Sequence, residues 1–472
     1  MRVSDIVRMA VEYGTFAMTI VLLSVGLFLL GYFVIYKWVF KGQRRISKQI
    51  LAMSVILGCY LIVVLGVTLG RIDIYQGSLI SLRPFRAYRE AWNTFSIVEW
   101  RNIILNICMF VPLGFLLPLF LNIFKTCYWT YLTGFLLSLS IEVIQLTTGR
   151  GVFEIDDLMG NTVGSMIGYG LIRIVLYLID RWQMKDCCKV KVVLAYQTPL
   201  ILVGVLFGTI FYTYHYQELG NLSIASIYPV SMKEVDLQST VQLSTEVASA
   251  SVYESKIITQ SESLDLANEW LSYVEKSVDE SQSIFYDQLA VYYSEDGNYH
   301  LWIDYVGPTV DLTDFSQFDS KGQSNYTYEE VRNILAQYGL ELPEEGLQFI
   351  DEGDGNYRLI AEMVEFNDKY LDGELRCTLT ENQLAYDINY SMIEYEPYKE
   401  YEILSEQQAF EQLEKGNWNP GFGYRDGFIN KIEVNNIKLN YSLDTKGYYQ
   451  PIYEFVTMIN GEQNTIQIPA IP

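Results

Sequence analysis

Histidine is almost absent: His215 and His300 are the only two in 472 residues. That scarcity argues against zinc held by imidazoles and against a nucleophile activated by a histidine base. Cysteine is scarce too. Cys59, Cys108, Cys127, Cys187 and Cys188 precede residue 216, and Cys377 stands alone after it. The second half can therefore form no internal disulfide. The adjacent pair Cys187 and Cys188 has no second pair at zinc-ligand spacing, so no metal and no cofactor is expected. Positive charge is what the second half lacks most. Residues 216–472 carry 14 Lys and Arg against 45 Asp and Glu, a net of −31, whereas residues 1–215 carry 19 against 11, a net of +8. So sharp a break marks a domain boundary near 215. The second half also lacks any long apolar run, yet it is long enough to bury one or two cores of its own. Its acidity fits a solvated surface and predicts no nucleic-acid partner.

The first half has the apolar runs that the second lacks. Six of them, at 15–36, 50–69, 102–122, 128–147, 158–179 and 193–214, approach the roughly 20 residues that a spanning helix needs. The first, from Phe16 to Tyr36, is longer than a signal-peptide core and no small-residue cleavage site follows it, which predicts a retained helix. Lys37, Lys41, Arg44, Arg45 and Lys48 fill the first loop, Lys125 the third, and Arg181, Lys185, Lys189 and Lys191 the fifth. Positive loops stay in the cytoplasm. The expectation is a multi-pass membrane protein with both termini outside and the acidic half extracytoplasmic. The second loop, 70–101, opposes the rule with Arg71, Arg83, Arg86, Arg89 and Arg101. Either it lies amphipathically on lipid phosphates, or SLRPFRAYRE (81–90) covers the bundle mouth. In the second case its guanidinium groups face Glu142, Asp156 and Asp157, or an anionic ligand.

Residues 102–170 hold the polar groups that need an explanation, because such groups in or beside hydrocarbon are costly. Asn102 and Asn106 are four apart and share a helix face. Glu142 and Gln145 are three apart near the same membrane face. The loop 148–157 adds Arg150, Glu154, Asp156 and Asp157, and Asp157 pairs by spacing with Asn161. Asp156 and Asp157 equally suit a helix N-terminus, where the macrodipole favours anions, and the asparagines equally suit interhelical glue. Gly160, Gly164 and Gly168 repeat every four positions, a stripe that admits a close neighbour. Pro112, Gly114 and Pro118 predict a bend in the third span. The expected site comprises Arg83, Asn102, Asn106, Glu142, Gln145, Arg150, Asp156, Asp157 and Asn161.

The runs NIILNICMFVPLGF (102–115), IEVIQ (141–145) and RGVFEIDDLMGNTVGSMIG (150–168) resemble the VanZ-like family of bacterial membrane proteins. Arg83-Pro84-Phe85 is similar to the family's Pro-Phe turn before the third span. The resemblance covers about 80–180 and implies a role at the cell envelope, the family being associated with low-level resistance to the glycopeptide teicoplanin. It supplies no reaction.

In the acidic half, residues 216–263 read as a linker: 221–263 are rich in Ser, Thr, Val and Gln with few aromatics, with room for some strand. Residues 264–472 read as an extracytoplasmic α+β domain of two helix-plus-hairpin units. Strands at 286–293 and 299–305 flank the turn EDGN. Thr327 with Glu330, and Ser405 with Gln408, are capping boxes that open helices ended by Gly339 and Gly416. Strands follow at 356–366 and 374–394, then at 431–443, 448–459 and 464–470. The last unit, with its Tyr-x-Pro-x-Tyr strand (449–453), is similar to the PepSY-like modules of extracytoplasmic proteins such as YycH and YycI.

The fold class is thus a six-helix membrane bundle followed by an α+β region. Three functions fit. The first is an envelope protein that binds a lipid-linked wall precursor or a glycopeptide among membrane lipids. The second is an enzyme on a lipid head group or peptidoglycan precursor, with Glu142 as acid or base. The third is an envelope-stress sensor whose tail engages a membrane protein partner.

Overall fold

The computed structural model describes residues 48–69, 80–149, 151–183, 190–286, 288–323, 325–420 and 429–472. The chain divides into two compact units, Met1–Gln217 and Glu218–Pro472. The expected first span, Arg150, Cys187 and Cys188 lie outside the described residues.

The first unit is helical: α1 (Lys48–Leu69), α2 (Arg86–Thr94), α3 (Ile97–Phe120), α4 (Cys127–Thr148), α5 (Ile155–Trp182), α6 (Val190–Ala195) and α7 (Thr198–Tyr216). Two short strands, β1 (Ile80–Ser81) and β2 (Phe153–Glu154), pair in parallel. Helices α3, α4, α5 and α7 are long and apolar enough to cross a membrane, and α1 carries a shorter apolar stretch, Ala52–Thr68. The described residues therefore hold four candidate spans where six were expected. The last apolar run is not one helix: α6 ends at Ala195 and α7 begins at Thr198 with Pro199 in its first turn. A proline fits there because that N–H has no intrahelical acceptor to lose.

Helices α3 and α5 meet backbone to backbone. A Cβ added at Gly164 would stand 2.0 Å from the Ile107 carbonyl oxygen, and one at Gly168 equally close to that of Val111. Gly114 answers from the other helix, 2.0 Å from the Ser165 oxygen. Gly160, the first of the stripe, makes only ordinary contact, 3.6 Å from Ile107. In hydrocarbon no hydrophobic gain drives helices together, so small residues that allow close contact carry the association. Pro112 and Pro118 lie inside α3, which remains one continuous helix.

The second unit is sheet-rich. Its elements are β3 (Asp236–Ser239), β4 (Ala248–Ser255), α8 (Gln260–Tyr273), β5 (Ile284–Phe285), β6 (Leu289–Tyr293), β7 (Tyr299–Asp304), β8 (Val310–Asp314), α9 (Tyr328–Ala336), β9 (Gln348–Gly353), β10 (Asn356–Phe366), β11 (Lys369–Leu379), β12 (Ala385–Ile403), α10 (Glu406–Glu414), β13 (Lys431–Leu443), β14 (Tyr448–Ile459) and β15 (Glu462–Pro469). The 19-residue β12 joins the parts: its first half pairs β8 and β11, and its second half pairs β4. Two apolar cores result. One gathers Trp270, Leu271, Leu335, Tyr357 and Leu359 beneath α8 and α9, and the other gathers Phe410, Leu413, Trp418 and Phe455 beneath α10. Each large side chain so buried contributes about 1.5–3 kcal/mol.

Two expectations need correction here. Residues 216–263 are not a bare linker: they supply β3 and β4, and β4 pairs with both β12 and β14. The helix-then-antiparallel-strands pattern also occurs three times rather than twice, after α8, α9 and α10. All three helices open on capping boxes, Thr259 with Glu262, Thr327 with Glu330 and Ser405 with Gln408.

Candidate functional site

The polar residues of α3, α4 and α5 meet where α5 begins. Asp157, in the first turn of α5, accepts a hydrogen bond from Asn106 Nδ2 of α3 at 2.5 Å. One turn on, Asn161 Nδ2 donates to Ser138 Oγ of α4 at 3.0 Å. One turn along α4 from Ser138 stands Glu142, 2 % exposed, whose Oε2 accepts from the Glu154 backbone N–H at 2.9 Å. Asp157 and Asn161 thus tie one helix to two others at successive turns, as i,i+4 spacing on one face permits.

Asp156 does a different job. Its Oδ1 accepts from the Phe85 N–H at 2.6 Å and its Oδ2 from the Ala87 N–H at 2.9 Å. It therefore caps α2 across the chain rather than its own helix. The need is local. Pro84 disfavours helical backbone at Arg83, and Phe85 is left-handed, with φ 64°. A non-glycine residue pays roughly 1–2 kcal/mol for that conformation. A cap worth about 0.5–2 kcal/mol offsets it. The β1–β2 pairing, Ile80 with Phe153 and Ser81 with Glu154, holds the same turn beside the start of α5. What the arginine-bearing loop visibly presents to Asp156 is its backbone amides. Arg86 lies 3.7 Å from Glu90, and Arg83 is exposed.

The remaining expected residues divide. Gln145 Nε2 donates to the Thr68 carbonyl at 3.1 Å, tying α4 to α1. Asn102, a turn before Asn106, is exposed and stands apart from the cluster. Three residues join that the expected site had not included. Ser138 is one turn before Glu142, a spacing that would have found it. Glu154 is half-buried, and burial first, then Asp157, pushes its carboxyl up to about 7 against the opposing pull of Arg86. The Tyr88 phenol is held up at about 12 by burial and then by the charges of Asp156 and Asp157.

One atom of this cluster is not satisfied. Asn161 is 3 % exposed, and its Oδ1 is buried without a hydrogen-bond partner. Exchanging the amide's oxygen and nitrogen would only move the deficit to the nitrogen. A buried polar group left unmatched costs about 1–3 kcal/mol, so it marks a place where something else can bind. Among the described residues, no group of three or more His, Cys, Asp and Glu is arranged to hold a metal ion.

Long apolar helices around a buried polar cluster define a helical membrane protein. Residues 25–176 match the VanZ/LLP1 family model, so the chain carries a VanZ/LLP1 domain, and every described member of the cluster falls inside it. Among solved structures, the Bacillus megaterium YpeB C-terminal domain is similar at 11 % identity over 46 % of this chain and 94 % of that chain, with a TM-score of 0.20. No curated protein matches.

Proposed function

We propose that the protein acts at the cell envelope by holding a ligand in the cluster formed by Asn106, Ser138, Glu142, Asp157 and Asn161, and that this contributes to low-level teicoplanin resistance. The observation that carries the reading is the buried, unmatched Asn161 amide oxygen beside the Asn106–Asp157, Asn161–Ser138 and Glu154–Glu142 hydrogen bonds. The VanZ/LLP1 domain supports the envelope assignment. The positive odd-numbered loops support a reading in which the cluster lies at the outer face of a multi-pass bundle. A lipid-linked wall precursor or the glycopeptide itself has the size and polarity for such a place.

Glu142→Gln and Asp157→Asn each keep side-chain volume and remove charge. Both variants are expected to reach the membrane in normal amount and to lose teicoplanin protection in a susceptibility assay. Full protection in both would overturn the assignment.

A further inference from the structure

The sheet of the acidic unit has a face turned away from its apolar core. Leu301, Ile303, Leu312 and Ile388 point into the core beneath α8 and α9. Side chains alternate along a strand, so the residues between them stand on the opposite face. Register aligns these in two rows. One runs Trp302, Asp311, Asn389 and Arg376 across β7, β8, β12 and β11. The other, two residues along each strand, runs His300, Thr313, Asp387 and Thr378. Neighbouring strands are about 4.8 Å apart, so each row spans about 14 Å.

Aromatic rings open both rows. Trp302 is 47 % exposed and lies parallel to Tyr286, with ring centroids 6.5 Å apart. His300 contacts Tyr293 and Phe315, each at 4.5 Å between centroids. The middle of the face is short and polar. Asn389 Nδ2 donates to Asp311 at 3.4 Å, and Thr313 Oγ1 donates to Asp387 at 2.9 Å. Both aspartates are half-buried, and burial first of all holds their carboxyls above the ordinary range. A carboxylate that has lost part of its water gains from hydroxyl donors supplied in its place. Arg376, and Arg358 on the next strand, both pair with Glu374. An anionic ligand laid here would meet two carboxylates and guanidinium groups already engaged. The remaining groups, Asn389, Thr313 and Thr378, both donate and accept, as the hydroxyls of a sugar do. The C–H face of a pyranose ring is apolar and lies flat on an indole, leaving the ring's hydroxyl edge for the polar row.

We propose that this face of the acidic unit binds a neutral saccharide chain, with one ring stacked on Trp302 and the hydroxyls of that ring and its neighbour bonded to Asp311, Asn389 and Asp387. Trp302 and Asp387 belong to the acidic unit, so the outcome for this face and the outcome for the Asn161 cluster are independent.

The test is isothermal titration calorimetry on the full-length protein in lipid nanodiscs. The probes are three neutral tetrasaccharides, chitotetraose, cellotetraose and maltotetraose, with tetragalacturonate and tetra-arginine as charged counterparts. At least one neutral tetramer is expected to bind, and more tightly than either charged probe. Trp302→Ala should weaken it about tenfold through the lost stacking surface, whereas Trp302→Tyr, which keeps an aromatic ring, should retain most of the affinity. Asp387→Asn, nearly isosteric, should weaken it about fivefold through the lost charge-assisted hydrogen bond. Thermal unfolding of each variant checks that the sheet is intact, and the partial rescue by Trp302→Tyr separates stacking from a folding defect. No binding by any of the three neutral tetramers would overturn the proposal. Binding left unchanged by either Trp302→Ala or Asp387→Asn would overturn it too. So would a charged probe binding more tightly than every neutral one, and tetra-arginine in that place would show that the face docks a basic peptide instead.

Discussion

Two buried side chains, one in each unit, show how alike polar burial can look and how differently it behaves. Asp444 of the acidic unit is 4 % exposed. Its carboxylate accepts from the N–H groups of Gly220, Lys446 and Tyr448 and from Gln450 Nε2. Every one of those donors is part of the fold, and the aspartate locks the segment after Glu218 to the turn between β13 and β14. Asn161 of the membrane unit is as deeply buried but has one end unmatched. The first group is explained by folding alone. The second is not, and that difference, more than burial or charge, separates a structural lock from a candidate site.

The units also hold together by different physics. The acidic unit buries two apolar cores in water, where hydrophobic gain is available. The membrane unit relies on carbonyls touching glycine Cα atoms. The sharpest way to break that contrast is Gly168→Leu, which must displace the Val111 carbonyl. Overpacking of this kind is expected to cost about 3 kcal/mol or more. The matched control is Gly204→Leu in α7, where nothing lies within 4 Å and no loss is expected. Thermal unfolding followed by limited proteolysis compares the two. Equal stability in both variants would contradict the close packing of α3 and α5.

A smaller effect tests Asp156. Asp156→Ala should cost about 1–2 kcal/mol through the lost cap and should speed proteolytic cleavage within residues 80–94, while leaving more ligand binding than Asp157→Asn does. Ligand binding lost to the same extent in the two variants would merge their roles.

The smallest effect concerns pH. Glu154 holds its proton up to about 7, above the ordinary glutamate value. Between those values the folded state binds more protons than the unfolded one, so stability falls as pH rises. The fall ends above about 7. Asp156, Asp157, Glu90 and Arg86 are the charges facing this group from α5 and α2. Glu154→Gln should flatten that slope in a stability-against-pH series, and an unchanged slope would show that another group sets it.

Much of this was legible in the sequence, and the gaps have physical reasons. Capping boxes name their own helix starts, so Thr327 and Ser405 located α9 and α10, and strands 356–366, 431–443 and 448–459 coincide with β10, β13 and β14. Thr259 with Glu262 carries the same signature, but it sits in a Ser- and Thr-rich stretch whose composition resembles a linker. Strand β4, ASASVYES, has too little apolar alternation to stand out, because its neighbours β12 and β14 supply the packing. In the membrane unit, i,i+4 spacing correctly gave Asp157 and Asn161 a common face. Spacing does not give depth. Asn102 shares a face with Asn106 yet lies a turn away from the cluster and is exposed. Nor does spacing say which element a carboxylate serves: Asp156 and Asp157 are adjacent, but one caps α2 and the other reaches α3. Nor does residue type reveal the backbone N–H groups of Phe85 and Ala87 that Asp156 accepts from.

The central claim, that the Asn161 cluster holds an envelope molecule, is tested most directly by mass spectrometry of what co-purifies with the intact protein. Wild-type protein extracted with its native lipids is predicted to retain an envelope molecule, and the Asp157→Asn/Asn161→Leu double variant, inserted in the same amount, to lose it. Equal retention by both proteins, or no molecule retained by the wild type, would contradict the account.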